Sequence, residues 1–130
     1  MDRSLRLTHE YDIRTTRSRG RAFAAGPLVA RILSRPGEQI AANRYAVVAG
    51  KQCGNAVARN RCKRLVREAL RSLHPELLQG YDIVVIVRGG PASLVGLATT
   101  LATLEQILVR AQLLDRPLAP VTGAEPPARQ

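Results

Sequence analysis

The residues best able to do chemistry lie in one run, from Lys51 to Arg71. Lys51, Arg59, Arg61, Lys63, Arg64, Arg67 and Arg71 meet a single acid there, Glu68. Guanidinium forks match the oxygens of phosphate better than a point charge does, so the chemistry on offer is anion binding. Projected at about 100° per residue, the run divides as a helix. Cys62, Leu65, Val66, Ala69 and Leu73 share one arc. Asn60, Lys63, Arg64, Arg67 and Arg71 share the opposite one, with Arg59 at its margin and Glu68 and Arg61 between. Lys63 with Arg67, and Arg67 with Arg71, are like-charge neighbours at i,i+4, which a solvated helix avoids. An external polyanion explains that arrangement. Side chains on one helical face recur about every 5.4 Å, close to the spacing of phosphates along a nucleic-acid strand. Asn60 adds a donor and an acceptor that reach sugar hydroxyls or base edges. Upstream, Gly54 and Asn55 suit a turn and an N-cap. The free amides beyond them, with Lys51 beside them, equally suit an anion.

Other chemistry has little to stand on. His9 and His74 are isolated from any nucleophile, and the ten acids are scattered without a pair spaced for two metal ions. A stand-alone nuclease is therefore disfavoured. Two cysteines, Cys53 and Cys62, with two distant histidines do not make a zinc site. Cys62 falls on the apolar arc, so packing is its expected role, with both thiols reduced. No apolar run is long enough to span a bilayer, and Met1 to Ser4 leads into charge rather than a signal peptide. An amphipathic helix lying on an anionic membrane is disfavoured, because a small core needs its apolar arc.

Elements must position that helix. The chain has 130 residues, a net charge of +10, and eighteen arginines against two lysines. That charge calls for a polyanionic partner. A surface helix is expected from Thr8, as cap, to Gly20, as stop. Leu28 to Leu33 and Arg44 to Ala49 read as strands. They suggest an antiparallel hairpin with a long loop through Pro36 and Gly37. A short extra strand is possible at Lys51 to Cys53. The basic helix then runs to Leu73. Tyr81 to Val87 is apolar on both parities, as for a central strand covered on both faces, and Asp82 is expected to cap or pair locally. Leu94 to Leu114 reads as a helix with a stripe of Leu97, Leu101, Leu104, Leu108 and Ala111. Pro117, Pro120, Pro126 and Pro127 mark 115–130 as a disordered tail, leaving 1–114 as one nucleic-acid-binding domain. The class is α/β (α+β), a two-layer sandwich in the order α-β-β-(β)-α-β-α.

The segment Gly54-Asn55-Ala56-Val57, then Arg59-Asn60-Arg61, Lys63-Arg64 and Arg67-Glu68 resembles the signature of the protein subunit of bacterial ribonuclease P. The layout from Leu5 to Leu114 agrees with it. The resemblance implies a left-handed β-α-β crossover. It also implies a cytoplasmic ribonucleoprotein endonuclease in which a catalytic RNA carries the chemistry and most of the Mg²⁺, with no catalytic residues on the protein. Carried over, Arg59, Asn60, Arg61, Lys63, Arg64 and Arg67, with Arg71 and Lys51 beside them, would dock on that RNA. A cleft beside the N-terminal helix would hold the single-stranded 5′ leader of precursor tRNA, whose removal gives the mature 5′ end.

The family places aromatics in that cleft. Here the matching positions are Ile13 and Arg17 on the helix, with Arg14 beside them, and Arg31 on the strand. Arg17 and Arg31 could stack as guanidinium planes, or Tyr11 or Phe23 could reach the cleft. Gly50-Lys51-Gln52 carries one charge fewer than the family's usual Ser-Lys-Lys. The alternative is a generic RNA-binding module of ribosomal type with no part in tRNA processing.

Overall fold

The computed structural model describes residues 5–36, 41–90 and 93–116. Helix α1 is Glu10–Arg19, strand β1 is Arg21–Ala25, β2 is Leu28–Ser34 and β3 is Arg44–Ala49. Helix α2 is Ala56–Leu73, β4 is Tyr81–Val87 and α3 is Leu97–Arg110. The four strands form one sheet in the order β1-β2-β4-β3. The α+β class expected from the sequence holds, while β1 is an additional strand and the pairing differs.

Strands β2 and β3 do not form a hairpin. Strand β4 lies between them, antiparallel to β2 and parallel to β3. The physical reason is burial. Ile83, Val84 and Val85 of β4 are wholly buried, which only a central position can do for adjacent residues facing opposite ways. Parallel pairing of β3 with β4 then needs a crossover, and α2 makes it. The true hairpin partner of β2 is β1, with Arg21 opposite Ile32 and Ala25 opposite Leu28 across the Gly26-Pro27 turn. Three alanines hid this strand, since alanine carries no strand preference. Lys51–Cys53 is a single 3₁₀ turn rather than a strand.

The two faces of the sheet differ. One carries Leu28, Ala30 and Ile32 of β2, Tyr45 and Val47 of β3, and Ile83, Val85 and Val87 of β4. These pack with Val66, Leu70 and Leu73 of α2 and Leu104, Ile107 and Leu108 of α3. Each valine, leucine or isoleucine side chain among them contributes about 1.5–3 kcal/mol when fully buried. Helix α1 covers the other face over β2 and β4. It begins after His9, one residue beyond the expected Thr8 cap, and no side chain caps it. Gly20 ends it in extended backbone instead of a left-handed turn. The glycine is needed for contact: a β-carbon there would stand 2.5 Å from the Thr16 carbonyl oxygen and 2.9 Å from the Ile32 nitrogen.

Helix α3 is shorter than its stripe suggested. Leu94 is buried in the preceding loop, and Leu97, in the first turn, is 44% exposed. Thr100, Leu104, Ile107 and Leu108 form the seated face. Gln112, with φ of 65°, breaks the helical path, and Leu113 and Leu114 turn back into the core. At the start of the expected tail, Arg116 pairs with both Glu76 and Glu105. Residues 117–130 lie outside the described residues.

Candidate nucleic-acid interface

Helix α2 starts as the sequence predicts. Gly54 has φ of 110° and ψ of −155°, a conformation that favours glycine. The Asn55 side-chain oxygen accepts from the Ala58 amide at 3.0 Å, so Asn55 is the N-cap. Behind the turn, the Cys53 thiol donates to the Val87 carbonyl at 3.4 Å. Cys53 and Cys62 are both buried free thiols, and burial pushes the Cys62 thiol up.

The far end of α2 is fixed by a buried polar network. The Asn43 amide donates to the Leu78 carbonyl at 2.8 Å and to the Tyr45 hydroxyl at 3.3 Å, while its oxygen accepts from the Tyr81 amide at 2.9 Å. The Tyr45 hydroxyl stands 2.7 Å from His74 Nδ1. The hydroxyl thus bridges Asn43 and His74. His74 is therefore a partner in this network and not an isolated group. Burial pushes the Tyr45 phenol up to about 12, against the opposing hydrogen bond from Asn43.

Between these ends the predicted faces form, with two corrections. Cys62, Val66, Ala69, Leu70 and Leu73 are buried. Leu70, left out of the projected arc, is wholly enclosed because α3 packs alongside. Asn60, Arg64 and Arg71 are exposed, while Arg59, Lys63 and Arg67 are half-buried at the edge of the face. The outward face also mixes signs at one point: Arg71 pairs with Glu68, one turn back. That contact draws the Glu68 carboxyl below its ordinary value and raises Arg71. Among the described residues, Lys51, Arg59, Lys63, Arg64 and Arg67 have no acidic partner within salt-bridge range.

Arg67 leads into a groove. It lines a cavity of about 280 Å³ with Arg6, Leu7 and Thr8, Ile13 of α1, and the β3 edge from Tyr45 to Val48. Burial, and then the charge of Arg6, pull the Arg67 guanidinium below its ordinary value; it stays charged at neutral pH. Nothing in the local pattern marked Arg6, which precedes the helix. It arrives there because the chain bridges alongside β3, with the Leu7 amide donating to the Tyr45 carbonyl at 2.7 Å.

The cleft set is only partly brought together. Ile13, Arg14 and Arg17 share one side of α1 with Glu10 and Ser18, and Arg14 lies 3.4 Å from Glu10. Arg31 sits apart, its guanidinium 3.4 Å from the Ser18 carbonyl at the end of α1, a favoured place for a cation. Phe23 lies opposite Ala30 in the register, so it shares the α3 face of the sheet with the Arg21 guanidinium over its ring. Tyr11 is 73% exposed, and helical geometry places it about 140° from buried Thr16. Neither Tyr11 nor Phe23 therefore lines the groove, and Tyr45, which does, is only 2% exposed.

What holds α1 over this groove is a charge cluster that the sequence did not reveal. Asp82, buried in β4, takes a two-bonded fork from Arg44 at 2.9 and 2.8 Å, and Arg35 Nε lies 3.3 Å from it. Arg44 also reaches Asp12 of α1, at 3.7 Å. Asp82 thus pairs with residues far away in sequence, not locally.

A family model described as Ribonuclease P matches residues 1–112. The chain belongs to the ribonuclease P protein family. Relatives in this family called ribonuclease P protein component include those of Roseiflexus sp. (strain RS-1) and Latilactobacillus sakei, each 35% identical. Each match covers 88% of this chain and 92% of the relative. Among solved ribonuclease P proteins, that of Staphylococcus aureus aligns with a TM-score of 0.72 at 27% identity, over 85% of this chain and 98% of the other. The Thermotoga maritima protein, solved in complex with 1-(4-fluorophenyl)-2-thiourea, aligns at 0.69 with 28% identity, over 81% and 98%.

Among the described residues no three of His, Cys, Asp and Glu meet in a way that would hold a metal ion. None of the described helices is long and apolar enough to cross a membrane.

Proposed function

We propose that this chain is the protein component of a ribonuclease P holoenzyme, an endoribonuclease that removes the 5′ leader of precursor tRNA in the cytoplasm. The reading rests on one observation: α2 seats its apolar side on the sheet and presents Asn60, Lys63, Arg64 and Arg67 with no acidic partner among the described residues. Those residues, with Arg59 and Lys51, dock on the catalytic RNA subunit. Their charge offsets phosphate repulsion where two RNAs meet, and each contact releases counterions.

Arg67 and Arg6 stand at the mouth of the groove beside α1, where the leader strand lies against Ile13 and the β3 edge. Arg14 and Arg17 add charge on the outer side of α1. With Tyr45, the one aromatic among the described lining residues, buried in the core, phosphate contacts replace base stacking, which elsewhere is worth about 1–3 kcal/mol per base. The bond-breaking chemistry belongs to the RNA, which also holds the Mg²⁺.

Reconstitution with the cognate catalytic RNA at low Mg²⁺ tests the reading. Cleavage should be stimulated, and a precursor with a long 5′ leader should be bound more tightly than one with a short leader. A lack of stimulation, or ribosomal RNA as the sole co-purifying RNA, would overturn it in favour of a generic RNA-binding module. Equal binding of the two precursors would remove the groove assignment alone.

A further inference from the structure

The family motif puts Arg61 in the RNA-docking set, beside Arg59 and Asn60. Its guanidinium is turned elsewhere. Nη1 donates to the Leu94 carbonyl at 2.9 Å and Nη2 to the Val95 carbonyl at 3.2 Å. One fork thus grips two consecutive carbonyls of the loop that leads into α3. That loop has little else to fix it at this point. Val95 is 75% exposed, and α3 begins after Gly96 with no side chain capping its first turn. Leu94, by contrast, is buried in the core. The backbone must therefore leave the core at Leu94, cross the flank of α2 at Val95 and start a helix, all within three residues.

We infer that Arg61 is a positioning residue, a clamp between α2 and the start of α3, rather than a phosphate contact. Its place on the helix agrees, since it projects outside the arc of Asn60, Arg64 and Arg67. A two-carbonyl grip also explains why arginine stands there: a lysine ammonium has the charge but not the planar fork. The clamp ties the loop to the docking helix, so the surface offered to RNA includes both as one rigid unit. The inference builds on the docking role of α2, and its first readout needs no RNA.

Three variants separate the alternatives: Arg61→Lys, Arg61→Ala and Arg64→Ala. In the free protein, amide hydrogen exchange at Val95 and the first turn of α3 should speed up in both Arg61 variants and stay unchanged in Arg64→Ala. Affinity for the catalytic RNA should fall about three- to tenfold in both Arg61 variants, the scale of hydrogen bonds lost from a preformed surface. The salt slope of Arg61→Lys should match wild type. Wild-type exchange in both Arg61 variants would overturn the clamp. So would full affinity in Arg61→Lys, paired with a drop of about 0.7–0.9 in salt slope for Arg61→Ala, which marks a phosphate contact. If Arg64→Ala leaves affinity untouched while exchange responds to Arg61, the docking role of α2 is what fails, and the clamp stands.

Discussion

Two groups of arginines in this protein are treated oppositely. Around β4, Arg35 and Arg44 converge on one buried acid, Asp82, and Arg44 reaches on to Asp12. Along α2, Arg59, Arg64 and Arg67 have no acid within reach among the described residues. The first group has its countercharge inside the chain and holds α1 to the sheet. The second has none among the described residues, and half-buried Arg67 keeps its charge despite desolvation. Repulsion left uncompensated on one face is a cost to the free domain that binding a polyanion removes. The contrast separates residues that serve the fold from residues that serve a partner, even though both are arginines on regular elements.

The contrast is broken most directly at Asp82. Replacing it with asparagine keeps the shape but takes the shared countercharge from Arg35 and Arg44, leaving Arg44 only its longer contact to Asp12 at 3.7 Å. Removing one member of a buried ion pair costs about 3–5 kcal/mol; with these arginines partly open to water, about 3 kcal/mol is expected for Asp82→Asn in urea unfolding. Arg64→Ala should stay within about 0.5 kcal/mol of wild type. Similar stabilities for the two variants would erase the distinction. The ordering of RNA affinity, measured on folded protein, should be reversed, with Arg64→Ala the weaker binder.

A second internal group sharpens the same point by pH. Tyr45 holds its proton to about 12 in the folded state against about 10 when exposed. The unfolded chain therefore loses this proton first, the folded state binds more protons, and stability falls as pH rises. The contribution is intact below pH 10 and disappears between pH 10 and 12, a loss of about 2–3 kcal/mol. Tyr45→Phe removes the ionisable group. Its stability should be lower at neutral pH, where His74 and Asn43 lose a partner, and flatter across the alkaline range. Denaturant unfolding at a series of pH values checks both; an equally steep fall in the variant would assign the loss to other groups.

How much of this was legible in the sequence follows from the range of each interaction. Helix α2 was readable to the residue at its start, because the Gly54 turn, the Asn55 cap and the apolar arc are all local. The buried centre of β4 was readable from its unbroken apolar run. The order of the strands was not. Whether β3 pairs with β2 or β4 is decided by competition for the central position, which no window of sequence contains. Strand β1, made of alanines around Phe23, had no local signal. The site divides the same way. The arginine face follows from periodicity, whereas the partners of Asp82, of Arg61 and of His74 lie roughly 30 to 50 residues away in sequence. Arg6 joins Arg67 only because the first residues run beside β3.

The smallest effect concerns the one place where the two treatments meet on a single helix. Arg71 lies on the outward arc of α2 yet already has Glu68 as a partner. If an internal countercharge makes an arginine less available to RNA, Arg71→Ala should lower the salt slope of RNA binding by less than the roughly 0.7–0.9 expected for a free phosphate contact such as Arg64. Glu68→Gln should act in the opposite sense. It frees Arg71 and removes the only negative charge from the helix, so binding should tighten and the slope steepen. Measuring RNA affinity against salt for Arg64→Ala, Arg71→Ala and Glu68→Gln gives the order directly. Equal slopes for the two alanine variants, with Glu68→Gln indistinguishable from wild type, would mean that the ion pair opens freely when RNA arrives. Only position on the arc, and not pairing within the chain, would then decide which arginines bind.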